Sequence, residues 1–245
     1  MYQLVRPPRQ HVVLVHGEGA GPWVWAPFAG ALPPGVEVHR PTLPGHPPTS
    51  TDFCSPASAA EAVAAQVGLD DLPGEVTVVG TSVGGQVAVE LARAFPYAIS
   101  RVVAIASPVD PHPAAPLVGA LSTLGRPLSL LATRSTRRRA QLQASLTDGK
   151  VCAAISERMS PTTSARLVTS RLGYRSSPVP EDVPMLLISG TRDSRRLKAG
   201  HARLADLHPQ VRSVQVPGRS LASPTARPRE LAAAVTRWAQ IGQHV

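Results

Sequence analysis

Short apolar segments alternate with amphipathic stretches along most of the chain. Four of them are rich in β-branched residues and predict buried parallel strands: Val12–His16, Val76–Val79, Val102–Ala106 and Met185–Ser189. Two weaker candidates are Val36–His39 and Val211–Val216. Helical patterns lie between the strands, at Ser58–Val67, Ser82–Phe95, Arg195–Leu207 and Pro228–Ile241. This order predicts an α/β protein with a mostly parallel, doubly wound sheet.

One long segment interrupts the alternation of strands and helices. Residues 107–183 contain no convincing strand, and they begin with the proline-rich stretch SPVDPHPAAP. A segment of this length is too long for a simple loop. We therefore predict a helical cap subdomain over residues 107–183, inserted after the strand that ends at Ala106. The core then comprises residues 1–106 and 184–245.

Composition supports a folded core and predicts a cytoplasmic protein. The chain has 245 residues, of which 43% are hydrophobic, and no apolar run approaches the ~18 residues of a membrane span. The apolar stretch near the N-terminus is too short for a signal peptide. Cys54 and Cys152 are far apart in sequence, so we expect two free thiols and no disulfide.

The net charge of +9 raises the question of an acidic partner. Arginines supply almost all of the positive charge, and the one dense run comprises Arg134, Arg137, Arg138 and Arg139. Nucleic-acid surfaces usually interleave such a run with stacking aromatics, and none lies nearby. A solvated helix face is therefore favoured over steering of an anionic substrate. No nucleic acid and no membrane is expected as a partner.

A nucleophile turn is predicted where the second strong strand meets its helix. The chain reads Gly80-Thr81-Ser82-Val83-Gly84-Gly85 there, in the form G-x-S-x-G. Small residues on both sides allow a strained turn that lifts the Ser82 hydroxyl above the sheet. The backbone N–H of Val83, at a helix N-terminus, then points at the oxygen of a bound carbonyl. The alternative is a tight turn with a passive serine.

Three stretches of the chain together resemble the α/β-hydrolase superfamily. They read VVLVHGEGAGPWVW from Val12, VTVVGTSVGG from Val76 and PMLLISGTRD from Pro184. The first is similar to the oxyanion loop of plant methylesterases and hydroxynitrile lyases, and the likeness covers residues 10–106 and 184–240.

The resemblance implies the α/β-hydrolase fold, and we predict that the cap is inserted after the sixth strand. It also implies Ser82 as the nucleophile position and Asp193 as the acid position. The backbone N–H groups of Glu18 and Val83 would form the oxyanion hole.

The chain departs from this family at the third member of the triad. Where the family carries histidine after its last strand, this sequence reads Pro217-Gly218-Arg219-Ser220-Leu221, so that Leu221 takes the histidine position. Without an imidazole, Ser82 has no base to accept its proton, and such a loss costs many orders of magnitude in serine hydrolases. Asp193 is then expected to form a structural ion pair with Arg192, Arg195 or Arg219.

Several groups are candidates to replace the missing imidazole. Our hypothesis is that Glu18, with Ser82 as its hydrogen-bond partner, acts as a general acid or base after burial raises its pKa. The alternative is that Glu18 is solvated or binds a cap arginine. His16 and His46 are less favoured substitute bases, since both are expected to structure loops.

The remaining histidines give no sign of a metal site. His112 and His201 are expected at surface or cap positions. The chain has neither H-x-x-x-H nor paired-cysteine spacing and no phosphate-binding loop, so we predict no metal and no cofactor.

Three functions remain open at this point. The first is an enzyme that runs non-hydrolytic acid–base chemistry, of lyase, cyclase or isomerase type, on a carbonyl-bearing small molecule. The second is an esterase, thioesterase or lactonase in which Ser82 works with a substitute base. The third is a non-catalytic binder of an apolar ligand. In each case a small molecule is expected under the cap, and a homodimer is possible on this sequence.

Overall fold

A six-stranded, all-parallel sheet forms the centre of the molecule. The computed structural model describes residues 9–117, 159–176, 180–217 and 227–241. The strands are β1 (Gln10–Val15), β2 (Glu37–His39), β3 (Glu75–Thr81), β4 (Arg101–Ile105), β5 (Met185–Gly190) and β6 (Val211–Val216). Their spatial order is β2-β1-β3-β4-β5-β6. The predicted α/β class, parallel sheet and strand positions are confirmed.

Helices join the strands and cover both faces of the sheet. They are α1 (Ala26–Ala29), α2 (Pro56–Val67), α3 (Val83–Ala94), α4 (Pro161–Gly173), α5 (Arg195–Leu207) and α6 (Pro228–Ala239). Helix α2 begins two residues before the predicted Ser58, because the side chain of Ser55 accepts a hydrogen bond from the Ser58 N–H and caps the helix. Within the described ranges, no helix combines the length and the apolar character that crossing a membrane requires.

Two apolar clusters, one on each face of the sheet, explain why the strand sequences are hydrophobic at successive positions. Along β1, Val13 and Val15 join the cluster that also packs against α2 and α3. Val12 and Leu14 point to the opposite face and join the cluster that contains Trp25 and α6. Because successive side chains of a strand face opposite sides, a sheet covered on both faces needs apolar residues at every position.

The strand order indicates where in the sheet a ligand would bind. The chain runs outward from β1 to β2 and then returns to place β3 on the other side of β1. The loops after β1 and β3 therefore diverge at the carboxyl edge of the sheet, which is where open α/β sheets bind ligands. The turn after β5 opens onto the same edge.

Residues 107–183, predicted as the cap, follow β4, which is the fourth of the described strands and not the sixth. The described parts of this segment, residues 107–117, 159–176 and 180–183, contain no strand. Helix α4 docks on α3 because the Gln86 amide donates to the carbonyl oxygens of Pro108, at 3.0 Å, and Arg171, at 3.4 Å. The Tyr174 hydroxyl donates to Glu90 at 2.9 Å beside them. The boundaries of the cap stay a prediction.

The arginine run and one of the two cysteines lie outside the described residues. The arginine run at 134–139 and Cys152 belong to the undescribed part of the cap. Cys54 is a free thiol and is exposed, as predicted.

Candidate active site

Ser82 occupies a strained turn between β3 and α3. Its φ of 54° and ψ of −122° lie where a residue with a side chain is rarely found. Its N–H donates to the Ile105 carbonyl of β4 at 2.9 Å, which ties the turn to the sheet. Strain of this kind costs about 1–3 kcal/mol and persists only where the surroundings impose it. The predicted sharp turn is therefore present.

Glycines around Ser82 impose that geometry by close backbone packing. A Cβ atom on Gly80 would clash with the carbonyl oxygen of Gly84 in α3. A Cβ atom on Gly84 would clash with the carbonyl oxygens of Val15 and His16 at the end of β1. Helix α3 thus starts in direct contact with the sheet, and its free first-turn N–H groups, including that of Val83, face the carboxyl edge.

The loop after β1 lies beside Ser82. A Cβ atom built on Gly17 would lie 3.4 Å from the Cβ atom of Ser82, so the two turns are in contact. Glu18 follows directly. Its side chain is only 5% exposed while the residue as a whole is half-buried, so its accessible part is the backbone. This placement fits the expected role of the Glu18 N–H as an oxyanion donor.

His16 is fully buried and structural. Its Nε2 accepts the N–H of Leu43 at 3.0 Å, which leaves Nδ1 to donate to the Gly17 carbonyl at 2.9 Å. Burial, together with repulsion from His46, lowers its pKa from 6.5 to about 3. Both ring nitrogens are engaged in hydrogen bonds with the backbone, which favours the loop-structuring role over that of a substitute base.

His46 fixes Gly19, which follows Glu18 in the loop after β1. Its Nε2 accepts the N–H of Gly19 at 3.1 Å, and its Nδ1 donates to the Pro44 carbonyl at 3.2 Å. Burial lowers its pKa to about 4, against an opposing effect from nearby Glu18. The rings of His16 and His46 pack edge to face, with centroids 4.8 Å apart. Two neutral imidazoles therefore fix the oxyanion loop, and neither is available as a base for Ser82.

Acid should weaken the fold through these two rings. In the unfolded chain each histidine takes up a proton near pH 6.5, whereas the folded rings do so only near pH 4 and pH 3. The unfolded state therefore binds more protons in this window, and the free energy of unfolding falls as the pH drops, by up to about 1.4 kcal/mol per pH unit for each ring. Urea unfolding between pH 7 and pH 4.5 measures the slope. His46→Gln should flatten it, whereas His112→Gln, on the surface, should not; an unchanged slope in His46→Gln would contradict the assignment.

Glu18 pairs with an arginine of the cap. Its Oε2 lies 3.3 Å from Nε of Arg171 in α4, and both side chains are over nine-tenths buried. This is the alternative that the sequence left open beside the general-base hypothesis. The guanidinium balances the carboxylate charge, so Glu18 no longer opposes negative charge that develops in the oxyanion hole. The pair also ties the oxyanion loop to the cap.

Asp193 shapes the turn after β5. Its Oδ2 accepts the Gly190 N–H at 2.7 Å, and its own N–H donates to the Gly190 carbonyl at 3.0 Å. Arg192 and Arg195 are exposed. Arg219, the third predicted ion-pair partner, and Leu221 lie outside the described residues, so the ion pair and the position of Leu221 relative to Ser82 stay predictions.

The prediction for His201 is wrong. Its side chain is completely buried, and Nε2 donates to the Ser107 carbonyl at 2.8 Å. Burial lowers its pKa, although Asp193 and Asp110 act in the opposite direction. Its position three residues before buried Leu204 on α5 was the signal for a core-facing site. His112 is exposed, as expected.

A cavity of about 290 Å³ adjoins the ion pair on its cap side. It lies between the loop after β4, helix α4 and helix α5, and Arg171 and Ser194 are part of its wall. Ser82 is not among the described lining residues. The cavity is therefore a neighbour of the nucleophile turn and not the turn's own pocket.

Sequence comparison relates the chain to one family over most of its length. The pattern of the alpha/beta hydrolase family matches residues 12–234. A pimeloyl-[acyl-carrier protein] methyl ester esterase of Aromatoleum aromaticum is 39% identical over 97 residues, which span 40% of this chain and 37% of that protein. The enzyme of the same name from Nitrosomonas europaea is 35% identical over 96 residues. The chain thus matches little more than a third of these relatives' length.

Solved structures share the architecture at low sequence identity. A thermophilic esterase from Thermogutta terrifontis has a TM-score of 0.75 at 18% identity, covering 94% of this chain and 89% of that one. The enol-lactonase of Burkholderia xenovorans LB400 has a TM-score of 0.74 at 19% identity, covering 96% and 93%. The bottromycin epimerase BotH has a TM-score of 0.69 at 20% identity, covering 95% and 92%. With the strained serine turn and the oxyanion loop beside it, the family match shows that this chain belongs to the alpha/beta hydrolase family.

Proposed function

We propose that this chain is an enzyme that polarises the carbonyl group of a small molecule and transforms it without adding water. One observation carries the proposal. The three side chains that the sequence offered as replacements for a triad histidine are already engaged: His16 and His46 in backbone hydrogen bonds, and Glu18 in an ion pair with Arg171. Among the described residues, none of these three is left to serve Ser82 as the base that hydrolysis requires, and we take Leu221 to occupy the histidine position, as the resemblance implies.

The retained part of the site suits carbonyl activation. Two backbone donors, Glu18 N–H and Val83 N–H, would bind the substrate oxygen, and one such donor is worth about 2.7–4 kcal/mol in acyl-transfer enzymes. A polarised carbonyl acidifies the adjacent C–H bond. Because the described histidines of the loop and Glu18 are engaged, we assign the proton to a basic group of the substrate itself, and the electron pair of the broken C–H bond stays as an enolate on the oxygen held by the two N–H groups. Some eliminations, cyclisations and isomerisations begin from such an enolate. Ser82 would then act as a hydrogen-bonding group and not as a nucleophile.

Two associations support a non-hydrolytic reaction of this kind. The oxyanion loop is similar to that of plant methylesterases and hydroxynitrile lyases, and the latter carry out lyase chemistry on this fold. One of the structural neighbours is named as an epimerase. Both are arguments from the fold and not from the site. We place the substrate, a small molecule, between the cap and the carboxyl edge of the sheet, and a homodimer stays a prediction.

An esterase is the second candidate. The strained turn at Ser82 is fully formed, and the partial relatives carry the name of a methyl ester esterase. This function needs a base outside the groups described above. It predicts that Ser82 is nucleophilic.

Labelling by a fluorophosphonate separates the two candidates. We expect the intact mass of the wild-type protein to stay unchanged after exposure to the reagent, because no base activates Ser82. Ser82→Ala serves as the matched control, and a serine esterase labelled in parallel verifies the reagent. An adduct on the wild-type protein that is absent from Ser82→Ala would overturn the proposal and establish the esterase. A binder without activity would show ligand affinity that Ser82→Ala leaves intact and no turnover in either protein.

A further inference from the structure

The pairing of β1 with β2 brings three potential metal ligands to one face of the sheet. In this parallel pair His11 stands opposite Glu37, and Val13 stands opposite His39. Glu37 and His39 are two residues apart on β2, so their side chains leave the strand on the same side. His11 points to that side from the neighbouring strand. The ligands therefore come from two strands, as E-x-H and a single histidine.

The distances between the ligand atoms fit one small cation. His11 Nδ1 lies 3.0 Å from His39 Nε2 and 3.6 Å from Glu37 Oε2, and the three ligand atoms all lie within 4.8 Å of one another. Zinc bonds of about 2.0–2.2 Å in a tetrahedron place adjacent ligand atoms about 3.3–3.6 Å apart. The 3.6 Å separation lies within that range and the 3.0 Å separation is shorter, so a small rotation of the His39 side chain would close the site.

The buried histidine is already oriented as a ligand. Its Nε2 lies 3.0 Å from the Pro73 carbonyl oxygen, and because a carbonyl only accepts, Nε2 carries the proton. The lone pair of His11 Nδ1 therefore accepts the Nε2–H of His39 at 3.0 Å. A bound metal ion would replace this hydrogen bond, with the proton of His39 passing to its Nδ1. A ring N–H bonded to a backbone carbonyl is the usual support of a metal-binding histidine. His11 is 1% exposed, whereas the Glu37 side chain is 57% exposed, so an ion has access from solvent.

We propose that His11 Nδ1, His39 Nε2 and the Glu37 carboxylate bind one Zn²⁺ ion, with water as the fourth ligand. Two imidazoles and a carboxylate form a donor set that zinc prefers. No spacing within one segment of the chain indicates this site, since strand register alone brings these residues together.

The site is separate from the serine turn and does not depend on the proposed function. His16 directly follows β1, and His11 lies five residues before it. At a rise of about 3.3 Å per residue, His11 is therefore about 16 Å from the oxyanion loop. Bound zinc would link the short edge strand β2 to β1 at the opposite edge of the sheet. Its expected role is to hold that edge strand in register.

Metal titration of the full chain, freed of any histidine tag and of metal, tests this site. Zn²⁺ binding is measured by calorimetry, and Co²⁺ is used as a spectroscopic probe of tetrahedral geometry. We expect one ion per chain, the intense visible absorption of tetrahedral Co²⁺, and a thermal midpoint that rises with Zn²⁺. Glu37→Gln and His39→Gln should each weaken binding by at least about tenfold, as loss of a ligand requires.

His112→Gln provides the matched control, since His112 is an exposed histidine outside the cluster. It should leave the Zn²⁺ affinity unchanged. Circular dichroism of the metal-free variants confirms that each one folds, and His11 is left intact because it is buried. Equal binding by wild type, Glu37→Gln and His39→Gln would overturn the proposal, as would a failure of wild type to bind or an equal loss in His112→Gln.

Discussion

Leu221→His is expected to turn this chain into a serine esterase. The groups expected to work with the new histidine are already positioned, since Ser82 lies in its strained turn and the oxyanion loop is fixed beside it. Asp193 stands in the turn after β5, where it would orient the new imidazole. Loss of the base in a serine hydrolase costs on the order of 10⁴-fold or more, so restoring it should raise hydrolysis of an activated ester by about 10³-fold or more. Turnover of a p-nitrophenyl ester measures the gain.

Two further variants make this result interpretable. Leu221→Gln introduces a polar side chain that is no base at neutral pH, and it should leave esterase activity at the wild-type level. Adding Ser82→Ala to Leu221→His should abolish the gain. A folded Leu221→His protein that gains nothing would mean that position 221 is not the triad position, whereas a gain that survives Ser82→Ala would assign the hydrolysis to the histidine alone.

Breaking the ion pair between Glu18 and Arg171 should destabilise the protein severely. Both side chains are buried, and Glu18→Gln leaves the guanidinium in the interior without its counter-charge. Removing one member of a buried pair costs about 3–5 kcal/mol. Urea unfolding measures the loss. Replacing both members, as in Glu18→Gln with Arg171→Met, should recover much of it, because no uncompensated charge then remains.

An exposed pair on α6 gives the matched control. Arg227 and Glu230 form an ion pair whose side chains are 39% and 61% exposed, and such pairs contribute less than about 1 kcal/mol. Glu230→Gln should therefore change the free energy of unfolding only slightly. If Glu18→Gln cost no more than Glu230→Gln, the pair with Arg171 would not be the desolvated link between loop and cap that its burial indicates.

The features that sequence predicted are those set by neighbouring residues. Strands of the buried sheet are apolar at every position, and the turn at Ser82 requires small residues within a few positions of the serine. The oxyanion loop was implied by the resemblance to the α/β-hydrolase superfamily, which itself depends on the local stretch after β1 that contains His16 and Gly17. Local chemistry specifies such elements, so the α/β class and the serine turn could be inferred before any coordinates.

The features that sequence left open depend on contacts between distant segments. Glu18 meets Arg171 only because helix α4 docks against α3. The periodicity of the loop or of α4 alone carries no sign of this contact. The burial of His201 is different, because its spacing to Leu204 on α5 does indicate the core-facing side of that helix, and only its partner, the Ser107 carbonyl, comes from a distant segment. The ion pair is the alternative that the sequence left open for Glu18, and the loop alone does not distinguish it from the general-base hypothesis.

The backbone contacts at Gly80 and Gly84 have a consequence for how serine-turn motifs are interpreted. These glycines are required because α3 begins against the ends of β1 and β3, a demand of architecture that persists whatever reaction the site performs. A lineage that abandons hydrolysis would thus retain the two glycines of the G-x-S-x-G signature for as long as it retains the fold. In related sequences, the glycines would then indicate common descent, and the residue equivalent to Leu221 would be the better guide to the reaction that each protein catalyses.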